Sequence, residues 1–116
     1  MWDWALRAAG ALGIFAAVYH GLAAEFQVFP RATIEPRGTR RLLRIVWQAS
    51  TVDWMVVGVL LIATPAFESL AARQSVVAAS ILVYGYAAIG NAIATRGRHF
   101  GWLLLTSVVV LALLGL

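Results

Sequence analysis

Residues 45–64 read IVWQASTVDWMVVGVLLIAT and run directly into Pro65. The run carries a single charged side chain, Asp53. About 20 such residues make a helix long enough to cross a hydrocarbon core of roughly 30 Å. A proline, which has no backbone N–H to donate, closes it. Working outward from this stretch, three similar runs obey the same rule. One starts near Trp4 and reaches Ala24, with helix continuing toward Phe29 until Pro30 stops it. The spacing predicts spans at about 4–24, 44–64, 74–95 and 100–116, the last of about 17 residues and short for a full crossing.

Composition points the same way. Of 116 residues, 62% are hydrophobic and 12% charged, against about 45–50% and about 25% in soluble domains. The expected fold class is an all-α integral membrane protein, a four-transmembrane-helix bundle forming one domain over 1–116. Asp3 stands where a signal peptide carries basic residues, and no small-residue cleavage site follows the first run, so that run reads as a retained span. The chain has no cysteine, which removes disulfides, thiolate chemistry and cysteine-held metals.

All nine basic residues are arginine, and the net charge is +4. They flank apolar runs, so they read as topology signals rather than as a nucleic-acid surface. The loop at about 30–42, with the start of span two, holds Arg31, Arg37, Arg40, Arg41 and Arg44, and the turn after span three adds Arg96 and Arg98. Arg7 and Arg73 lie on the other side. The positive-inside rule then predicts both termini outside (periplasmic), the basic connections in the cytoplasm and the protein in the cell inner (plasma) membrane, multi-pass. Arg37, Arg40, Arg41 and Arg44 are also candidates for anionic lipid head groups, at about 1 kcal/mol per charge near the surface. Trp2, Trp4, Trp47 and Trp102 fall near predicted interfaces, where an indole is both apolar and a donor. Trp54 falls deeper and reads as packing.

Span one has small residues at a strict spacing of four: Ala5, Ala9, Gly13, Ala17 and Gly21. This is a smooth ridge for close helix approach. Asp53 lies roughly 13 Å along the helix from Arg44. An acid at that depth costs at least ~2.5–3.5 kcal/mol on insertion scales and should face protein or water. It reads either as a proton or ion site or as a hydrogen-bonded carboxyl locking two helices. On span three, Ser80, Tyr84, Ala88, Asn91 and Thr95 share one stripe. Counting depths gives an inner layer of Asp53 and Tyr84, with Ser50 or Thr51, and an outer layer of His20, Gln48 and Asn91 with Glu25 and His99 at the mouth. Such layers suit either a vestibule open to the cytoplasm or hydrogen bonding in a dry core.

His20, Glu25 and His99 are the only candidates for a metal site. His20 and Glu25 are five residues apart, about 140° around a helix, where paired ligands favour i, i+3 or i+4. Haem ligation by the two histidines lacks any attachment motif. No cofactor is expected. No nucleophile elbow, phosphate loop or metalloprotease motif occurs.

His20 through Glu25, then Pro30, then Leu43 through Thr51 with Trp47, Gln48 and Ser50, resembles a group of small uncharacterised bacterial four-span proteins. That group ends span one with a His-x4-Glu pair and opens span two with Trp-His-x-Ser/Thr. Gln48 stands where the group has histidine, and glutamine neither titrates nor ligates metals well. The resemblance brings no activity with it. Small multidrug-resistance transporters share the length and the four spans, but their glutamate lies in mid-span one, where this chain has no acid before Glu25.

Three functions remain. One is a homo-oligomeric channel or proton-coupled transporter lined by Asp53, Tyr84, Gln48, His20, Asn91 and Glu25. The second is an accessory or scaffold subunit docking on a membrane-protein partner through the ridge of span one. The third is a membrane enzyme using His20, Glu25 and His99. The lipid bilayer is the one partner all three share.

Overall fold

A computed structural model describes residues 2–116. Among them every regular element is helical: α1 (Asp3–Ala23), α2 (Arg37–Ala63), α3 (Leu70–Thr95) and α4 (Gly101–Leu114). A π-helical segment, Ala24–Val28, continues α1, and a 3₁₀ turn, Thr64–Ala66, continues α2. With these extensions, the first three helices are long and apolar enough to cross a membrane.

Side-chain chemistry sets the helix ends. Pro36 directly precedes α2, and Pro65 turns its end into 3₁₀. Ser69 caps α3, its Oγ accepting from the Ala72 N–H at 3.2 Å. At the other end of α3, Arg96 and Gly97 take φ of 53° and 71°, and the Gly97 N–H returns to the Ala92 carbonyl at 2.8 Å. This left-handed closure reverses the chain tightly enough for α4 to start five residues later.

Two boundaries differ from the sequence expectation. α2 begins at Arg37 rather than near 44, and α3 at Leu70 rather than 74. Arginine is a good helix former, so each helix outlasts its apolar run. The loop expected over 30–42 shortens accordingly, and the long axis of the bundle reaches 49 Å. The fourth helix is shorter than the span expected there. Its 14 residues extend only ~21 Å.

The helices run up, down, up and down around α1. Gly10 meets Gly58, and Gly21 meets Thr51 and Gln48, so α2 is antiparallel to α1. Asp3 pairs with Arg73 and Gly13 meets Tyr84, so α3 is parallel to it. Phe100 packs edge-on against Tyr19 at 5.2 Å and Gly115 against Leu6, so α4 returns alongside α1. The core comprises Leu6, Ala9, Leu61, Val77, Tyr84, Leu105 and Val108.

The ridge of span one lies inside this bundle. Ala5, Ala9, Gly13 and Ala17 are buried, and Gly21 is half-buried. The face expected to dock a partner is used for packing within the chain. The outward faces of α2 and α3 are apolar and exposed, with Val52 at 60%, Leu82 at 72% and Ile93 at 73%. Exposure of this kind suits lipid and not water.

The tightest crossing is backbone on backbone. A Cβ at Gly58 would lie 2.9 Å from the Gly10 carbonyl oxygen. Gly58→Ala is expected to destabilise the fold by about 1–3 kcal/mol through overpacking. Gly85→Ala, where a Cβ meets nothing within 4 Å, should be neutral or stabilising by up to about 1 kcal/mol. Unfolding midpoints of the two variants in detergent check the contrast, and equal midpoints would refute it.

Candidate functional site: a cleft between α2 and α3

Above the Gly10–Gly58 crossing, toward the arginine-rich end, α1 and α2 are joined by a ladder of polar contacts. Ser50 Oγ donates to the Trp47 carbonyl at 2.6 Å and lies 2.9 Å from His20 Nε2. A hydroxyl has one proton, so with that proton on Trp47 the imidazole Nε2–H is the donor to Ser50. His20 sits between two indoles two turns apart on α2, with centroids at 4.6 Å for Trp47 and 4.2 Å for Trp54. Trp47 Nε1 also donates to the His20 carbonyl at 3.0 Å. Trp47 thereby clamps the two helices together.

One turn further along, Gln48 Nε2 donates to the Gly21 carbonyl at 3.1 Å and to Glu25 Oε1 at 2.9 Å. Arg44 pairs with both Glu25 oxygens. α1 passes from α to π geometry at this level, in the segment that begins at Ala24. A side-chain donor inserted into the backbone ladder is a recognised cause of such departures, and π segments are frequent at functional sites. Arg40 donates to the Phe29 and Ala32 carbonyls and lies 5.7 Å over the Phe29 ring. Two of the four arginines considered for lipid head groups are therefore committed to intramolecular partners.

The outer polar layer divides between two walls. His20, Gln48 and Glu25 belong to the α1–α2 seam. Asn91 belongs to α3 and lies against the α3–α4 turn, where a Cβ on Gly101 would meet its side chain at 3.0 Å. Asn91 Oδ1 is buried without a hydrogen-bond donor. His99 Nδ1 accepts from the Gly101 N–H at 3.0 Å, and its ring stacks on Phe100. Among the described residues no three His, Asp or Glu side chains gather as a metal site. Glu25 is held by Arg44 and Gln48, and the candidate His20, Glu25 and His99 set does not assemble.

The inner layer also differs from expectation. Tyr84 is fully buried against Gly13 and donates to the Trp54 carbonyl at 2.6 Å. It does not meet Asp53. Successive helix positions are about 100° apart, so the geometry that turns Trp54 inward to His20 and Tyr84 turns Asp53 outward. Asp53 is exposed and has no hydrogen-bond or ion-pair partner among the described residues.

Asp53 borders a cleft of ≈ 1460 Å³. Its floor is α1, at Ala16, Tyr19, His20 and Ala23. One wall is α2, with Trp47, Ser50, Asp53 and Trp54. The other is α3 with the α3–α4 turn, from Ile81 to Gly101. The walls diverge because α2 packs extensively on α1 and sparsely on α3. The Tyr84–Trp54 hydrogen bond marks the end where they close. The sequence reading placed Asp53 in an inner layer, His20 and Asn91 in an outer layer and His99 at the mouth, and all four border this cleft. It missed the Trp47/Trp54 clamp, although their i, i+7 spacing put both on the helix face that carries Ser50. It also missed Tyr86, Gly85 and Gly90 of the far wall.

Comparison finds no matching protein family, no matching curated protein and no matching solved structure.

The ladder can be tested through stability. Trp47→Phe keeps a ring but loses the N–H to His20, an expected cost of about 1 kcal/mol. His20→Ala removes the ring between two indoles and the Ser50 contact, an expected cost of about 2–4 kcal/mol. Glu25→Gln acts on an exposed pair and should shift the unfolding midpoint least. A midpoint for Glu25→Gln below that of His20→Ala would contradict this order.

Proposed function

We propose that the protein is a multi-pass protein of the cell inner membrane, with four crossing segments, both termini outside and the arginine-rich connections in the cytoplasm. Within that frame it works as a small homo-oligomeric, proton-coupled transporter whose substrate site is the α2–α3 cleft. The observation that carries this reading is Asp53, an acid without a hydrogen-bond or ion-pair partner among the described residues, bordering a large cleft within the apolar part of α2. Titratable groups in spanning segments are by default functional. The seam closed by Tyr84 and Trp54 favours a carrier over an open channel. The missing outer wall between α2 and α3 favours assembly with another copy. Kinship with small bacterial four-span proteins belongs to the same proposal and adds no activity.

The accessory-subunit reading loses its main support, because the small-residue ridge of α1 is buried within the bundle. The enzyme reading loses its ligand set for the reason given above.

Two measurements test the proposal. The chain has no cysteine, so single cysteines report orientation cleanly. Ser69→Cys should react with an impermeant maleimide on intact spheroplasts, and Thr33→Cys only after permeabilisation; the reverse pattern would invert the topology. In proteoliposomes under an imposed membrane potential, wild-type protein should carry a proton flux read by an internal pH dye. Asp53→Asn should remove it and Asp53→Glu should keep it. Flux unchanged by Asp53→Asn would sink the transporter reading.

A further inference from the structure

We infer that the cleft takes a lipophilic organic cation, an inference that rests on the transport reading above and names its substrate class. Asp53 is the sole Asp, Glu or Arg side chain bordering the cleft. Every arginine lies elsewhere, so the cleft selects for positive charge. Near a surface of low polarity a carboxylate attracts a cation several times more strongly than it does in bulk water.

The rest of the lining fits a cation with an apolar body. Trp47 and Trp54 flank the Asp53 wall, Tyr19 and Phe100 rise from the floor and the turn, and Tyr86 stands opposite. Tyr86 is 83% exposed, so its ring face is available, and aromatic faces attract cations by their quadrupole. A bare metal ion is a poor occupant. Hard cations need about six to eight oxygen ligands, or keep their waters, and this cleft offers one carboxylate.

A second observation concerns the width of the cleft. Gly85 and Gly90 both border it on α3, and a Cβ at either position would meet nothing within 4 Å. Glycine inside a helix is unfavourable relative to alanine, and no close approach within the chain requires it here. The two glycines leave that wall without side chains where a bulky occupant would lie. Val56, Leu82, Tyr86 and Ile89 form an exposed apolar rim, so in the single chain the cleft opens sideways between α2 and α3.

Cation and proton compete for the same side-chain oxygens of Asp53, so the site holds one or the other. The other titratable groups bordering the cleft are Tyr19 and His20 from α1, Tyr86 from α3 and His99 from the α3–α4 turn.

The test uses two ions of nearly equal size and opposite charge, tetraphenylphosphonium and tetraphenylborate. Binding to the protein in nanodiscs is read by quenching of tryptophan fluorescence, with protein-free nanodiscs subtracted. Tetraphenylphosphonium should bind and tetraphenylborate should not. Asp53→Asn should weaken the cation by about tenfold or more, Asp53→Glu should retain it, and Gly90→Leu should weaken it by filling the wall. Unchanged unfolding midpoints confirm that Asp53→Asn and Gly90→Leu still fold. Equal binding of both ions, or of neither, overturns the cation assignment, as does cation binding indifferent to both substitutions. The proton-flux assay reads the transport proposal separately: flux lost in Asp53→Asn without cation binding leaves transport standing and this inference refuted.

Discussion

The close approach of α1 and α2 at Gly10 and Gly58 is the constraint from which the rest of the architecture follows. With backbone against backbone at this crossing, α2 is held along α1 over most of its length. Everything above the crossing inherits that register. Thr51 and Gln48 come to Gly21, Ser50 to His20, and Arg44 to Glu25. Without a hydrophobic force between helices in lipid, such packing and interhelical hydrogen bonds are what hold helices together. The small residues of α1 thus act inside the chain rather than toward a partner.

The same alignment opens the cleft. Committed to α1, α2 packs sparsely on α3, and Tyr84 bridges the two by its hydrogen bond to the Trp54 carbonyl. Tyr84 fits there because Gly13 leaves room for its ring. One buried tyrosine therefore links three helices and fixes where the α2–α3 seam ends. Beyond it the helices part, and the side chains on their facing surfaces remain without partners. Asp53, Tyr86, Gly85 and Gly90 all belong to that unpaired surface.

His20 shows how a polar residue is accommodated on such a face. Its ring lies between two indoles, its Nε2–H goes to Ser50, and its carbonyl accepts from Trp47. A histidine read from sequence as part of a polar layer or as a ligand is a structural keystone of the α1–α2 seam that still borders the cleft. The exposed Glu25–Arg44 pair above it adds specificity of register more than energy, since solvated ion pairs contribute little.

Much of this was legible from residue order. Apolar runs between Pro30, Pro65 and the Arg96–Arg98 turn gave four helices, and a single acid within such a run marked Asp53. The spacing of four in α1 gave a packing face. Rise per residue placed His20, Gln48 and Glu25 at neighbouring levels, and the structure joins Gln48 to Glu25 directly. Sequence could not say which way Asp53 faces. That depends on the rotation of α2 about its own axis, set by Gly58 against Gly10 and by Trp54 against His20 and Tyr84. Neither could it show that α2 and α3 stay apart. Helix length and apolarity are local properties that a linear pattern determines. The pairing of helices, and the cleft left where two of them do not pair, arise from contacts between residues far apart in the sequence, such as Glu25 with Arg44 and Gly10 with Gly58, and only tertiary packing decides them.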